Sequence, residues 1–491
     1  MEIEFKLSCT PLSARTLARH LTRLCGAAPH KLQLQNTYYD TPNQDLRAQG
    51  IALRIRQQGN LRLQTVKCAG SMSGGLSSRP EWETPYSGRF DFSPVDDTQI
   101  RQRLEIFARL PGYRATLDTD FSRHVWHWRP DAETHVEIML DRGRILAGGR
   151  EDSLCEFELE LISGTPARLL DLAAHLGQIA PLFPCPLSKA TRGSLLLAGK
   201  RNTLPATDTR PADCDAAFVT EAQACLDHIS INLPANCSTF DAENLHQVRV
   251  GMRRLRALLQ LFRPALRKGW CRRDIQAGAR EHMRAIAPAR NLHVLMDELL
   301  APVAGEVDAR AWQRLNGRLS GMAEQAFAAA RTHLQSLPFA WWLLQSSLAL
   351  HAEPLRPAWR SKPWPQGADM LLAQHLKDYA AHLQGLKRTP EALHELRKAG
   401  KHLRYQLTLG SRTDRSRQLG RQLARVQDSL GQLNDLYSAG EILNRQPASL
   451  TATIAALGEA HRKRHAALHE QLPRQLRRLR DELAATRKEK R

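Results

Sequence analysis

The chain has 491 residues, with 70 Lys and Arg against 50 Asp and Glu and a net charge of +20, a length that calls for two or three domains. Hydrophobic residues make up 42% and charged residues 24%, which excludes a disordered chain; the longest apolar stretch, Phe339 to Leu350, is interrupted by Gln345, Ser346 and Ser347 and is too short for a bilayer span. The acidic start Glu2-Ile3-Glu4 is unlike a signal peptide, and nine cysteines with no C-x-x-C pair fit a reducing compartment, so the expectation is a cytoplasmic protein with inert thiols.

In chain order, period-two alternation predicts strands over Glu2 to Leu7, Ile51 to Arg56, Leu61 to Lys67, Glu133 to Leu140 and Glu156 to Leu161. Apolar spacing of three and four predicts helices at about Ala14 to Cys25 and Ala167 to Leu176. The first 200 residues thus read as an antiparallel β domain with a few helices. A stretch of linker composition at 201–212 ends it. Beyond, residues 213–491 are rich in Ala, Leu, Arg, Gln and His with helical spacing, as at Leu255, Leu258, Leu259 and Phe262, and should be all-helical. Residues 1–200 carry 25 basic and 22 acidic side chains, so a net +17 falls on 201–491; a polyanionic partner for that part follows. The helical part repeats itself: Leu245-His246-Gln247-Val248-Arg249 through Arg256 matches Leu393-His394-Glu395-Leu396-Arg397 through Arg404 at an offset of 148, which points to duplication.

Strand parity sorts the charges. Residues i, i+2 and i+4 share a face, so Glu2, Glu4 and Lys6 project together, as do Arg54 with Arg56, Glu81 with Glu83, Glu137 with Asp141, and Glu156 with Glu158 and Glu160, each opposite an apolar stripe. Such stripes are compatible with solvated strand faces. Three carboxylates on one strand face repel one another, however, and a sheet closed with its ionic face inward would relieve this if divalent cations and a polyphosphate supplied compensating charge. Carboxylates suit Mg²⁺ or Mn²⁺, and Lys6, Arg54, Arg56, Lys67, Arg123 and Lys189 could clamp phosphate oxygens. This is an inventory for phosphoryl transfer.

The ordered set Glu2-Ile3-Glu4-Phe5-Lys6, Tyr38-Tyr39-Asp40-Thr41, Leu53-Arg54-Ile55-Arg56, Lys67, Glu81-Trp82-Glu83, Arg123, Val136-Glu137 to Asp141, Glu156 to Leu161 and Ser188-Lys189-Ala190-Thr191-Arg192-Gly193 resembles the CYTH superfamily, the triphosphate tunnel metalloenzymes. The resemblance implies an eight-stranded antiparallel β tunnel binding a triphosphate and a divalent metal, Mg²⁺ or Mn²⁺. By position, Glu2, Glu4, Glu156, Glu158 and Glu160 would hold metal, with parity unable to separate the last three. Lys6, Arg54, Arg56, Lys67, Arg123 and Lys189 would grip phosphates, and Glu81, Glu83, Glu137 and Asp141 would orient basic residues or a water. The implied reaction is attack of water on a terminal phosphorus. Among triphosphates, tripolyphosphate is preferred, because no P-loop or dinucleotide fingerprint marks a nucleoside site; thiamine triphosphate and nucleoside triphosphates are the alternatives.

On helices, His246, Arg249, Arg253 and Arg256 stack on one face and His394, Arg397, Lys401 and Arg404 repeat it, with Arg254 and Lys398 widening the stripes. A solvated surface is the plain reading of one such helix; two in the same register suggest a basic groove. These segments resemble the CHAD domain, a conserved-histidine α-helical domain associated with polyphosphate binding, over about residues 213 to 485. The expected architecture is therefore α+β: a β tunnel at 1–200, then a duplicated helical bundle at 213–491. The rival readings are a non-catalytic polyphosphate scaffold and a nucleic-acid binder; the second finds no zinc-finger or RNP signature.

Overall fold

The computed structural model describes residues 2–73, 76–110, 112–204, 211–237, 239–386, 389–409 and 414–489. The linker read at 201–212 lies partly outside these, at 205–210. The chain forms two compact units, one of residues 1–208, 223–248 and 334–352, the other of 209–222, 249–333 and 353–491. No helix among the described residues is long and apolar enough to cross a membrane.

The first unit is built on strands β1 Glu2–Cys9, β2 His30–Asp40, β3 Ile51–Gln58, β4 Leu61–Cys68, β5 Ser71–Ser73, β6 Leu76–Arg79, β7 Glu81–Pro85, β8 Arg114–Trp128, β9 His135–Ala147, β10 Arg150–Ser163 and β11 Leu182–Pro184. They form one antiparallel sheet in the order β5-β6-β1-β10-β9-β8-β2-β3-β4-β7, with β11 added on β1. The run from β1 to β7 is the expected eight-stranded sheet, and β5, β6 and β11 are short additions at its β1 end. β6 and β7 lie towards opposite ends of this path, yet only Pro80 separates them in the chain, so the sheet must roll back on itself. The roll is a near-closed tunnel: Lys67 on β4 reaches Glu2 on β1 at 3.1 Å.

Five strands match their predicted positions. β2 and β8 were not legible as alternation, because the inward side of β2 carries Asn36 and Asp40, both buried, beside Leu34 and Tyr38. Asn36 is held by a 2.8 Å bond to Thr119 on β8, so a polar residue occupies a position that a core strand would give to an apolar one.

The tunnel's outer face carries Phe5, Leu7, Ile138, Leu140, Phe157 and Leu159, all at most 2% exposed, each burial stabilising by about 1.5–3 kcal/mol. The helix Pro11–Leu24, capped by Thr10 accepting from Ser13 N–H at 3.1 Å, covers it together with the helix Pro166–Ile179. The helix Leu337–Leu348 joins the same core through Leu344, although it belongs by sequence to the helical half. Gly177 permits its approach: a Cβ there would collide with Leu344.

The second unit is helical, its longest helices being Ala309–Leu334, Trp364–Gln384, Pro390–Leu409, Asp414–Leu443 and Thr451–Glu489. Leu396 and Leu403 pack with Leu423, Leu430 and Leu476 in its main core. The duplication is visible in the backbone: the helices Ala242–Leu261 and Pro390–Leu409 are both 20 residues long, and their bounds differ by the same 148 as the sequence repeat.

Candidate active site

Sheet register sets the inward side chains of β1, β10, β9 and β8 in rows across the tunnel wall. One row reads Glu4, Glu160, Glu137, His127; the next Lys6, Glu158, Met139; the third Ser8, Glu156, Asp141, Arg123. Carboxylates so placed are close neighbours and destabilise one another unless a cation intervenes.

In the second and third rows the cations are present. Lys189, at the start of the helix Lys189–Leu197 that Ser188 caps, brings its ammonium to 2.5 Å from Glu156, 2.8 Å from Asp141 and 3.0 Å from Glu158. These three acids are buried, with oxygens within 4.8 Å of one another. Arg123 donates two 2.7 Å bonds to Asp141 and one of 2.6 Å to Glu158, and Lys6 stands 3.1 Å from Glu158 and 3.4 Å from Glu4. Against the cost of burial, these cations hold the Glu158 carboxyl well below its usual range, and the acids hold Lys189 well above its own.

The first row is different. Among the described residues no ion pair or hydrogen bond reaches Glu160, and burial together with Glu2 and Glu137 pushes its carboxyl up to about 7. Glu4 pairs with Lys6 and with Arg79 of β6. Glu2 is held by Lys67 and Arg79, which take it down to about 2 despite its burial.

The facing wall is basic. Arg54 donates to the Tyr38 hydroxyl at 3.4 Å and stands 3.7 Å from Glu81, while its Nε and Nη2 make no hydrogen bond. Arg56 donates to Asn36 at 3.1 Å and to Glu83 at 3.4 Å; burial, with Arg54 and Arg123 beside it, lowers it to about 10. Lys67 lies 2.6 Å from Glu81, yet burial wins on both sides, lowering the ammonium and raising the carboxyl.

A cavity of about 330 Å³ separates these walls. Every tunnel residue singled out from the sequence lines it except Glu4, Asp141 and Glu156, which sit behind as partners of those that do.

In the helical unit a second cavity, of about 350 Å³, is lined by Arg253, Arg397, Lys401 and Arg404 with Tyr405 and Asp435. Arg253 Nε and Arg397 Nε are buried there without a hydrogen bond. Burial, Arg397 and Arg253 press Lys401 down to about 7. Arg249, lowered to about 10 by burial, Arg253 and Arg290, donates to the Met283 carbonyl at 2.9 Å. The other predicted residues are placed elsewhere. Arg254 turns to Glu221 at 4.0 Å, Lys398 to Glu395 at 2.7 Å and His394 to Asn434 at 3.0 Å, while Arg256 is half-buried outside the cavity. His246 lies on the part of its helix that belongs to the first unit.

Comparison with known proteins finds two family matches. The CYTH domain family matches residues 1–194 and the CHAD domain family matches residues 220–444. Residues 1–194 are a CYTH domain, and residues 220–444 are a CHAD domain. An inorganic triphosphatase from Haemophilus influenzae is 34% identical over 197 residues, which is 40% of this chain and 54% of that protein, so the match spans about half the relative's length. The CHAD domain structure from Ricinus communis is 27% identical, covering 58% of this chain and 96% of its own, with a TM-score of 0.44. A Hippeastrum protein assigned as an adenylyl cyclase, with a dominant triphosphatase activity of its own, is 21% identical over 42% of this chain and 98% of its own, with a TM-score of 0.30.

Sequence reasoning assigned no role to two residues of the CYTH tunnel. Arg79 lines the cavity and pairs with both Glu2 and Glu4. Arg192 donates to Asp152 at 2.6 Å and lies 3.8 Å from Glu156, bracing that acid from behind. In the CHAD domain the charge of Arg290 acts on Arg249 and Arg253.

Proposed function

We propose that this chain is a divalent-metal-dependent inorganic triphosphatase. The CYTH tunnel cleaves tripolyphosphate to pyrophosphate and phosphate, and the CHAD domain binds longer inorganic polyphosphate. The observation that carries the first part is the opposed imbalance across the tunnel cavity. On one wall Arg56 and Lys67 hold their protons less firmly than usual, and on the other Glu160 holds its own more firmly. A polyanion bound together with a hard cation would offset both at once.

The residues fit such a cation. Glu2, Glu4 and Glu160 offer only carboxylate oxygens, the donors that Mg²⁺ and Mn²⁺ take, and Glu160 lacks the ammonium partner that Glu156 and Glu158 have. The cradle would thus centre on Glu160, with Glu2 beside it in the cavity lining and Glu4 directly opposite it on β1; these two would exchange contacts with Lys67, Lys6 and Arg79 for the cation, while Glu156 and Glu158 anchor Lys189 and Lys6. Bound there, the cation would supply positive charge to the phosphate oxygens.

Arg54, Arg56, Lys67 and Arg123 would bind those oxygens from the other side and offset the charge that gathers on the departing pyrophosphate. Their geometry is set before substrate arrives: Asp141 holds Arg123 by two parallel bonds, Glu83 holds Arg56, and Glu81 stands beside Arg54 and Lys67. Such fixed donors need little reorganisation during reaction. Glu137, in the cavity lining near Glu160, is the remaining acid free of an arginine or lysine contact among the described residues and could orient a water.

The test is phosphate release from tripolyphosphate, ATP and thiamine triphosphate with Mg²⁺ and Mn²⁺. Tripolyphosphate is expected to be the preferred substrate, and a Glu4→Gln variant as active as the wild type would overturn the reading. For the CHAD domain, the support is the convergence of Arg253, Arg397, Lys401 and Arg404 on one cavity. Arg253→Ala with Arg397→Ala should weaken binding of long-chain polyphosphate while tripolyphosphate hydrolysis persists; tighter binding of duplex DNA than of polyphosphate would favour a nucleic-acid partner instead.

A further inference from the structure

The outer face of the tunnel, away from the proposed chemistry, holds two thiols in contact. Cys9 ends β1 and Cys155 lies on β10, one register step beyond the Ser8–Glu156 pair, so the two cysteines are direct cross-strand neighbours. Their sulfurs are 3.5 Å apart. Opposed residues of antiparallel strands have Cα separations of about 4.5–5.5 Å, within the span of roughly 4.4–6.8 Å that a disulfide bridges. Neither strand needs to shift register for the bond to form. Cys9 is 3% exposed and belongs to the apolar core, whereas Cys155 is half-buried at its margin, with Arg142 directly opposite on β9. One thiol can therefore meet a small oxidant while the other waits beneath it.

We propose that Cys9 and Cys155 are a redox-active pair which a hydroperoxide closes into a disulfide, stapling β1 to β10. The Cys155 thiolate attacks the terminal peroxide oxygen, breaking the O–O bond, releasing an alcohol or water and forming a sulfenic acid. The Cys9 sulfur then attacks that sulfur; the S–O bond breaks, and the hydroxyl leaves as water with the Cys9 proton. Two electrons pass from the two sulfurs to the hydroperoxide. The bond closes a loop across a sequence separation of 146 and joins the two strands that carry Glu2, Glu4, Glu156, Glu158 and Glu160.

The test treats the full-length protein with hydrogen peroxide, blocks remaining thiols, digests with trypsin without reductant and reads the products by mass spectrometry. The expected product joins the peptide Leu7–Arg15 to the peptide Glu151–Arg168 with loss of two hydrogens, and dithiothreitol separates them. Cys9→Ser should instead leave Cys155 as a sulfenic acid that dimedone traps. Recovery of Cys9 and Cys155 as blocked free thiols after millimolar peroxide, or linkage of Cys155 to a different cysteine, would overturn the proposal.

Discussion

Glu4 and Glu160 stand directly opposite each other on β1 and β10, on the side of the strands that forms the tunnel interior. Glu4 is compensated by Lys6 and Arg79, while Glu160 meets no cation within ion-pair distance among the described residues. The pair thus has room for one further positive charge, and replacing Glu160 tests whether that charge is a metal. Glu160→Gln should raise the Mn²⁺ or Mg²⁺ concentration for half-maximal hydrolysis at least about tenfold without lowering the melting temperature, because no bond is lost. Glu156→Gln should do the opposite, weakening the bond to Lys189 and costing about 1–3 kcal/mol of stability with a smaller effect on the metal requirement. Metal titrations and melting curves of the two variants decide it.

Lys189 holds Asp141, Glu156 and Glu158 together, and removing a buried ion's partner typically costs about 3–5 kcal/mol. Lys189→Met is expected to lose stability of that order in denaturant unfolding at neutral pH. The deficit should shrink in acid. Glu158 is held well below its usual range in the wild type, so its contribution to stability is present at neutral pH and is lost as pH falls through its folded value; in the variant the acids take up protons sooner, relieving their repulsion. A deficit equal at pH 5 and pH 8 would contradict this account.

Arg56 is buried beside Arg54 and Arg123 and is lowered to about 10, so Glu83 at 3.4 Å does not fully offset its burial and its cationic neighbours. Arg56→Ala should therefore raise KM for tripolyphosphate about 10- to 100-fold, the value of a charge-assisted hydrogen bond or two, while leaving the melting temperature unchanged or higher. Steady-state kinetics and calorimetry check both halves; a strongly destabilised variant would mean that Glu83 already compensates the charge.

Polyphosphate binding by the CHAD domain should depend on pH through Lys401, lowered to about 7. An anion in the cavity favours the ammonium, so binding takes up a proton when Lys401 is neutral beforehand. Affinity is expected to rise as pH falls through about 7 and to level off below it. Titration calorimetry of the Glu4→Gln protein, in buffers of different ionisation enthalpy, would show the proton uptake. Lys401→Arg should bind at least as well as the wild type with a flatter profile, whereas an unchanged profile would assign the dependence to another group.

Much of the tunnel was legible because strand parity is a strict period of two: once Glu2, Glu4 and Lys6 share a face, so must Glu156, Glu158 and Glu160. Which carboxylate lacks a cation was not legible, because Lys189 reaches Glu156 and Glu158 from a helix about 30 residues downstream, at a depth that sets where its ammonium ends. Arg79 was missed because β6 has only four residues, too few for alternation to register. In the helical half the repeat located Arg397, Lys401 and Arg404 along with Arg253, but helical spacing alone could not tell that Arg254, one residue on from Arg253, turns to Glu221. Arg249 and Arg397 are equivalent in the repeat, yet only Arg397 lines the cavity, so duplication has not made the copies equal.

The passage from β6 to β7 through Pro80 means that the barrel is cinched by covalent chain as well as by hydrogen bonds. Cut between Arg79 and Glu81, the same strands would remain a ladder with two loose margins, joined across the gap by side-chain contacts such as that of Lys67 with Glu2. Contacts of that kind weaken as they become wetted and screened, so such a nicked barrel would gape in brine and draw shut in fresh water, a hinge that the unbroken protein does not possess.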